Sequence, residues 1–424
     1  MILRTEGFAD IEQLLAHVPL PRAFRVERPR RTPPALADVR EAVGDVLRGV
    51  EMPRGSVAVA VGSRGIGRIA EIAAAVVSAL RAGGAEPFVI PAMGSHGGAT
   101  AEGQTHALAA LGVTEERIGC PIRSSMDAVR LGTTPAGVDV FMDAHAHAAD
   151  AVVVINRVKP HTAFRGAIES GPAKMLAIGL GKQRGAHALH AAGWERMHAT
   201  VPDAARVVLA SGKVAFGLAI LENADEQPYR LVALRAGRIL DDEPALLEEA
   251  KRNLPRLPFD RLDALVVDRI GKNISGDGAD PNVTGRYPTT TASGGPDVTR
   301  LVFLDLTDET DGNANGLGLA DVVTQRLVER FLPAATYVNA LTSTAPSGVR
   351  LPMVMPTPRL AVAAALTMCA GVDPARARVV RIQDTLHLNE LWISESLLPE
   401  LLEREAVTAL EGPVPLPLPE PTLR

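Results

Sequence analysis

From residue 56 the chain alternates short apolar runs with stretches of helical periodicity. SVAVAVGS (56–63) is a run of strand length ended by glycine, 67–82 repeats its apolar positions with the period of a helix, and PFVIPA (87–92) is a second strand-length run. Together they predict a β-α-β unit. AVVVINRV (151–158) and VAFGLAIL (214–221) supply further strands, with helices predicted at 100–112, 183–198 and 243–254. Strands alternating with helices imply a mainly parallel sheet covered on both faces.

A proline-rich break, PRLP (255–258), precedes a second series of the same kind. It contains DALVVDRI (263–270), LVFLDL (301–306), a helix near 317–331, another near 358–371, an apolar run near 378–382 and LWIS (391–394). The fold class expected is therefore two α/β domains with mainly parallel sheets and an active-site cleft between them, residues 1–260 and 261–424, with the boundary at 256–262. Before the first strand, a proline- and arginine-rich patch from Pro29 to Pro34 leads into an amphipathic run, Ala35 to Val50, that reads as a packed helix after an extended arm. The tail 413–424, PVPLPLPEPTLR, is proline-rich and reads as extended. No repeat of fixed period is present.

Composition narrows the function classes. With 22% charged and 46% hydrophobic residues in 424, the chain is that of a folded protein. Its 44 Lys+Arg against 49 Asp+Glu give a net charge of −5, and only 3% of residues are aromatic, which argues against nucleic acid as a partner. The apolar runs are all shorter than about 18 residues, so no membrane span is expected. Cys120 and Cys369 are too far apart in sequence for a zinc-type spacing and suit a reducing compartment, so a cytoplasmic location is expected. Eight of the ten histidines (His96, His106, His145, His147, His161, His187, His190 and His198) fall in one quarter of the chain.

Ligands of open α/β sheets bind where loops leave the carboxyl ends of strands. Three polar glycine loops fall there. GSRGIGR (62–68) lacks the Gly-x-Gly-x-x-Gly spacing of dinucleotide folds, but its backbone N–H groups with Arg64 or Arg68 suit a phosphate or carboxylate. MGSHGGAT (93–100) places His96 among glycines that leave an imidazole open to proton exchange, with Thr100 set to cap the next helix. The segment 156–190 holds His161, Lys174, His187 and His190; the last two, three residues apart, share a helix face and could bind a metal. Lys174 lies in SGPAK before an apolar stretch, where partial burial would make an amine nucleophilic. In the second series, RIGKNISGDGADPNVTGR (269–286) packs Lys272, Asp277, Asp280, Asn282 and Arg286 into one loop. Its Asp spacing lacks the ligand positions of a calcium loop, and it reads as a substrate-closing loop with Lys272 on the wall of the cleft opposite the histidines.

These elements, in this order, resemble the nickel-dependent lactate racemase family: the GSHGG loop with His96, the KPH pair with His161, SGPAK with Lys174, a histidine sixteen residues further on, His190, and the 271–286 loop. The resemblance implies a racemase or epimerase of a 2-hydroxy acid. It implies His96 and His161 as the acid/base pair, and a nickel pincer nucleotide tethered to Lys174 with His190 as metal ligand. It further implies that Gly62, Arg64, Gly97, Ser170 and Gly171 bed the cofactor, and that Arg64 and Lys272 face the substrate carboxylate. The partners expected are a small 2-hydroxy acid and at most further copies of the chain. The alternative is a chain that keeps the cleft but binds a free nucleotide such as NAD, as a redox enzyme or a sensor.

Overall fold

The computed structural model describes residues 8–29, 32–62 and 65–420. The chain forms two compact units, each an α/β layer structure as the alternation predicts. One comprises residues 32–254 with 342–344; the other takes in residues 8–29, 255–341 and 345–420.

The 32–254 unit is built on a five-stranded sheet in the spatial order Ala85–Pro91, Gly55–Val61, Ala151–Arg157, Val214–Glu222, Pro228–Arg235. The first four strands are parallel and the last is antiparallel. Both faces of the sheet are buried, which is why its strands read as unbroken apolar runs. Val57, Val59, Val61, Val153 and Ile155 pack with Val39–Leu47 and Ile69–Ala82, whereas Ala58, Ala60, Val152 and Val154 pack with helices between residues 172 and 250. A helix expected over 183–198 ends at Ala191 instead. Gly193 takes φ 91°, a left-handed conformation that breaks the helix, and a new one runs from Met197 to Ala210.

The other unit carries an eight-stranded sheet. Met353–Met355, Val322–Thr324, Asp297–Leu306, Arg261–Ile270 and Val379–Ile382 are parallel, and Glu390–Ser394, Arg22–Glu27 and Ala409–Pro415 continue the sheet antiparallel. Two expectations are corrected here. The 317–331 helix is replaced by a short turn, the strand Val322–Thr324 and the helix Gln325–Glu329, because three consecutive β-branched residues are fully buried beside Asp297–Leu306 and Thr324 caps the helix after it. The N-terminal arm does not belong with residues up to 260. Arg22–Glu27 lies between Glu390–Ser394 and Ala409–Pro415, so the arm and part of the proline-rich tail are strands of the second unit.

Candidate functional site

In the five-stranded sheet the chain passes from Gly55–Val61 outward to Ala85–Pro91 and then returns to place Ala151–Arg157 on the other side. The loops after Val61 and Arg157 therefore diverge, opening the crevice in which open α/β sheets bind ligands. Gly62 is buried there; a Cβ at this position would lie 3.2 Å from Met175 Cε and 3.7 Å from Asn156 Oδ1, so the first loop starts against the segment that carries Lys174. Arg157 pairs with Glu222 at the end of the neighbouring strand, and Glu222 also accepts the N–H of Gly67 at 2.6 Å, pinning the far end of the 62–68 loop. Arg64, with Ser63, lies outside the described residues. Arg68 pairs with Glu71 and Leu36 O and serves the local fold.

The loop after Arg157 is closed at its neck by pairing of Lys159 with Ser170 and is organised around Glu169, whose side chain is fully buried. This carboxylate accepts the His161 N–H at 2.8 Å and draws in Arg165 at 3.3 Å and Lys251 at 3.2 Å. With the Gly166 N–H, which donates to Oε1 at 3.4 Å, these positive and donating partners offset the cost of burying its charge. The result is a fixed His161, 8% exposed, with its ring 4.5 Å from that of Phe164 and 6.0 Å from that of Trp194. Ala163 N–H donates to His161 Nδ1 at 3.0 Å. The neutral imidazole therefore carries its proton on Nε2, as a donor.

Lys174 follows directly. Pro172 stands at the first position of a helical turn, where its missing N–H costs nothing, and the turn runs into a single π-turn, Met175–Gly179, closed by Leu180 N–H to Met175 O at 2.9 Å. Lys174 is half-buried, and its charge acts on His190. His190 lies on Lys182–Ala191 with its ring 5.3 Å from Trp194, so Trp194 stands between the two histidines. Burial first, and then Lys174, hold the His190 imidazole down to about 4. Its Nδ1 is buried and forms no proper hydrogen bond among the described residues, with only the Ala186 carbonyl one turn back favouring a proton. His187, the other half of the i, i+3 pair, is exposed.

The His96 loop docks on the same segment. Gly94 N–H donates to Gly179 O at 3.3 Å, and Gln104, fully buried, donates to the carbonyls of Gly94 at 2.8 Å and His96 at 3.3 Å. Gly97 is required twice over: it takes φ 65°, and a Cβ would fall 2.5 Å from the Gly103 carbonyl carbon. Thr100 caps Ala101–Ala110 as its position in the sequence indicates. Beneath the loop lies a residue that the sequence does not single out. Lys182 is fully buried with φ 53°, pairs with the equally buried Asp143 at 2.9 Å, and donates to Pro91 O at 2.8 Å and Gln104 Oε1 at 3.0 Å. Burial pulls its amine below the ordinary lysine value, against the opposing pull of Asp143. No local pattern marks such a residue, since its partners are 39 to 91 positions away.

Of the residues read as functional, His96, His161 and Lys174 lie on loops and a turn of one unit and His190 on its helix Lys182–Ala191; Trp194 lies beside both His161 and His190, and Lys174 acts on His190. Lys272 lies in the other unit, where its ammonium donates to Gly276 O at 2.7 Å within its own loop. In that loop Asp280 caps a turn and Arg286 binds Asp321 and the carbonyls of Val298 and Thr299. No three His, Cys, Asp or Glu side chains among the described residues converge as a metal site, and no described helix is long and apolar enough to cross a membrane.

Residues 50–200 match the family model of the lactate racemase N-terminal domain. No curated protein matches the chain. Among solved structures, the lactate racemase apoprotein from Thermoanaerobacterium thermosaccharolyticum is similar at 11% identity and a TM-score of 0.49, over 83% of this chain and 92% of that one. The segment matched by the lactate racemase N-terminal domain, residues 50–200, is the part of the chain that holds His96, His161, Lys174 and His190.

Proposed function

We propose that the protein is an isomerase that racemises or epimerises a small 2-hydroxy acid, using a nickel pincer nucleotide held by Lys174 and His190. The observation that carries this reading is the pairing of a half-buried amine with a neutral, desolvated imidazole whose Nδ1 has no proper partner among the described residues. A metal ligand must be unprotonated, and a histidine held to about 4 meets that condition throughout the physiological range. Since no cluster of three protein ligands exists among the described residues, a metal here requires most of its ligands from an organic group, which suits a pincer.

The C–H bond of a 2-hydroxy acid is too weak an acid for a histidine to break, and the bound cofactor supplies a reversible hydride acceptor instead. The chain's own groups manage protons and position. His161, with its proton on Nε2, donates to the substrate oxygen as the 2-oxo acid is reduced, and His96 on its glycine loop takes the hydroxyl proton in the opposite sense. Trp194 and Phe164 exclude water from the imidazole of His161. Arg64, from its place in the sequence, is the candidate partner for a carboxylate or phosphate.

Co-expression with the cofactor-building enzymes tests the reading. A mass increase on Lys174, one nickel per chain and interconversion of 2-hydroxy acid enantiomers on a chiral column are expected, with adduct and nickel lost in Lys174→Ala. A co-expressed chain with neither adduct nor nickel overturns it, and release of an intact dinucleotide from that chain would establish the NAD-binding alternative.

A further inference from the structure

We propose that Glu243 is the positioning residue of Lys174: from a distant helix it clamps the turn that presents the lysine. Glu243 lies on Ile239–Asn253 and is 1% exposed. Its Oε2 accepts the N–H of Ala173, the residue before Lys174, at 2.8 Å, across 70 positions of sequence. On the same turn the carboxyl group packs flat on Gly171, where a Cβ would lie 2.3 Å from Oε1 and 2.6 Å from Cδ. Gly171 has an extended backbone, φ 172°, that any residue adopts, so glycine is needed here for the closeness of Glu243 and not for its conformation. From the opposite side Asn156 donates to Gly171 O at 2.9 Å. The lysine turn is thus held between the end of a central strand and a buried carboxyl group.

A role limited to filling space would be met by an apolar side chain, and a role limited to satisfying one N–H by a local hydroxyl. Glu243 instead keeps Oε1 buried with no hydrogen-bond partner among the described residues. Burial pushes its carboxyl up to about 8 in spite of the Ala173 N–H, so at neutral pH it is the uncharged acid. An uncharged clamp fixes the backbone of Lys174 without placing a carboxylate charge in the crevice. This rests on Lys174 being the anchoring amine, but the first measurement needs no cofactor.

The test is acetylation of the unloaded full chain with an N-hydroxysuccinimide ester, read by peptide mass spectrometry as the rate at Lys174 relative to Lys213, a half-buried lysine elsewhere in the same unit. Loosening the clamp frees a half-buried amine, so Glu243→Ala is expected to raise the ratio at least fivefold. Glu243→Gln, which keeps the acceptor and the shape of the neutral acid, is expected to stay within twofold. Gly171→Ala drives the carboxyl away and is expected to raise the ratio as well, while the double variant G171A/E243A is no worse than E243A because the clash is gone. A ratio unchanged in both folded single variants, or one that rises only because Lys213 falls, overturns the proposal, as does full additivity in the double variant. If the wild-type chain never gains an adduct on co-expression, the reading of Lys174 as anchor fails while these ratios stand.

Discussion

Replacing Lys182 by methionine is expected to unfold the site from below. Methionine keeps the volume of the aliphatic stem and the left-handed backbone at this position is strained for either residue, so the change isolates the ammonium. Lost with it are the ion pair to Asp143 at 2.9 Å and the bonds to Pro91 O and Gln104 Oε1. Both side chains of the pair are fully buried, so Asp143 is left as an unpaired carboxylate away from water, and breaking such a pair from one side costs about 3–5 kcal/mol. Asp143→Asn removes the orphaned charge and can still cap Ala144–Ala148, where Asp143 Oδ1 accepts from Ala146 at 3.0 Å. The double variant K182M/D143N should therefore recover about 2 kcal/mol relative to K182M. Trp194 and Trp392 report on different units, so urea unfolding followed by fluorescence in a Trp392→Phe background reads the 32–254 unit alone. Hydrogen exchange should rise over 93–100 in K182M, because Gln104 loses its anchor and with it the grip on Gly94 and His96. A loss below about 1 kcal/mol for K182M, or a double variant less stable than K182M, would refute the argument that the pair is buried and mutually dependent.

Glu243 also predicts the pH dependence of stability. Its native value of about 8 exceeds the ordinary 4.5, so the folded chain holds a proton that the unfolded chain releases, and stability falls as pH rises from 4.5 to 8. Glu243→Gln removes that slope, worth up to about 5 kcal/mol over the window, and a Tm difference from wild type that does not change between pH 5 and 8 would contradict it. Gly97→Ala should cost at least about 2 kcal/mol in urea, from the left-handed backbone and the overlap with Gly103, whereas Gly98→Ala, with open space around it, should cost only the backbone strain. His161→Phe keeps the ring packing on Trp194 but removes the Nδ1 acceptor of the Ala163 N–H, so it should cost about 1–3 kcal/mol of stability and slow the proposed racemisation by roughly 100- to 10,000-fold; activity within threefold of wild type would remove His161 from the chemistry. His190→Gln is expected to abolish nickel in the co-expressed chain, measured by elemental analysis per mole of protein.

The strands are legible because sheets buried on both faces impose continuous apolar runs, and stretches such as Val57–Val61 and Ala151–Ile155 can satisfy nothing else. Loop position is legible where glycine and a titratable residue share a few places after an apolar run, as at His96, which follows the strand Ala85–Pro91. Periodicity alone cannot separate His187 from His190, since i and i+3 share a face and only the neighbouring Trp194 and Lys174 bury one of them. Glu169, Lys182 and Glu243 stay hidden for a different reason: each acts through contacts made by the tertiary fold, and no spacing rule links residue 243 to residue 173. Val322–Thr324 reads as helix because three residues are too few to outweigh a helical pattern on either side.

The strand Arg22–Glu27 sits between partners near residues 390 and 412, so its sheet pairs residues that precede the 32–254 unit with residues that follow it. On the ribosome the 32–254 unit emerges nearly complete as one continuous stretch, while the arm that preceded it must wait for about 360 more residues before it finds either neighbour. The site-bearing unit is thus an insertion that matures first, and the sheet that encloses its two ends in sequence is a late clasp, whose closure carries the entropy of the longest loop in the molecule.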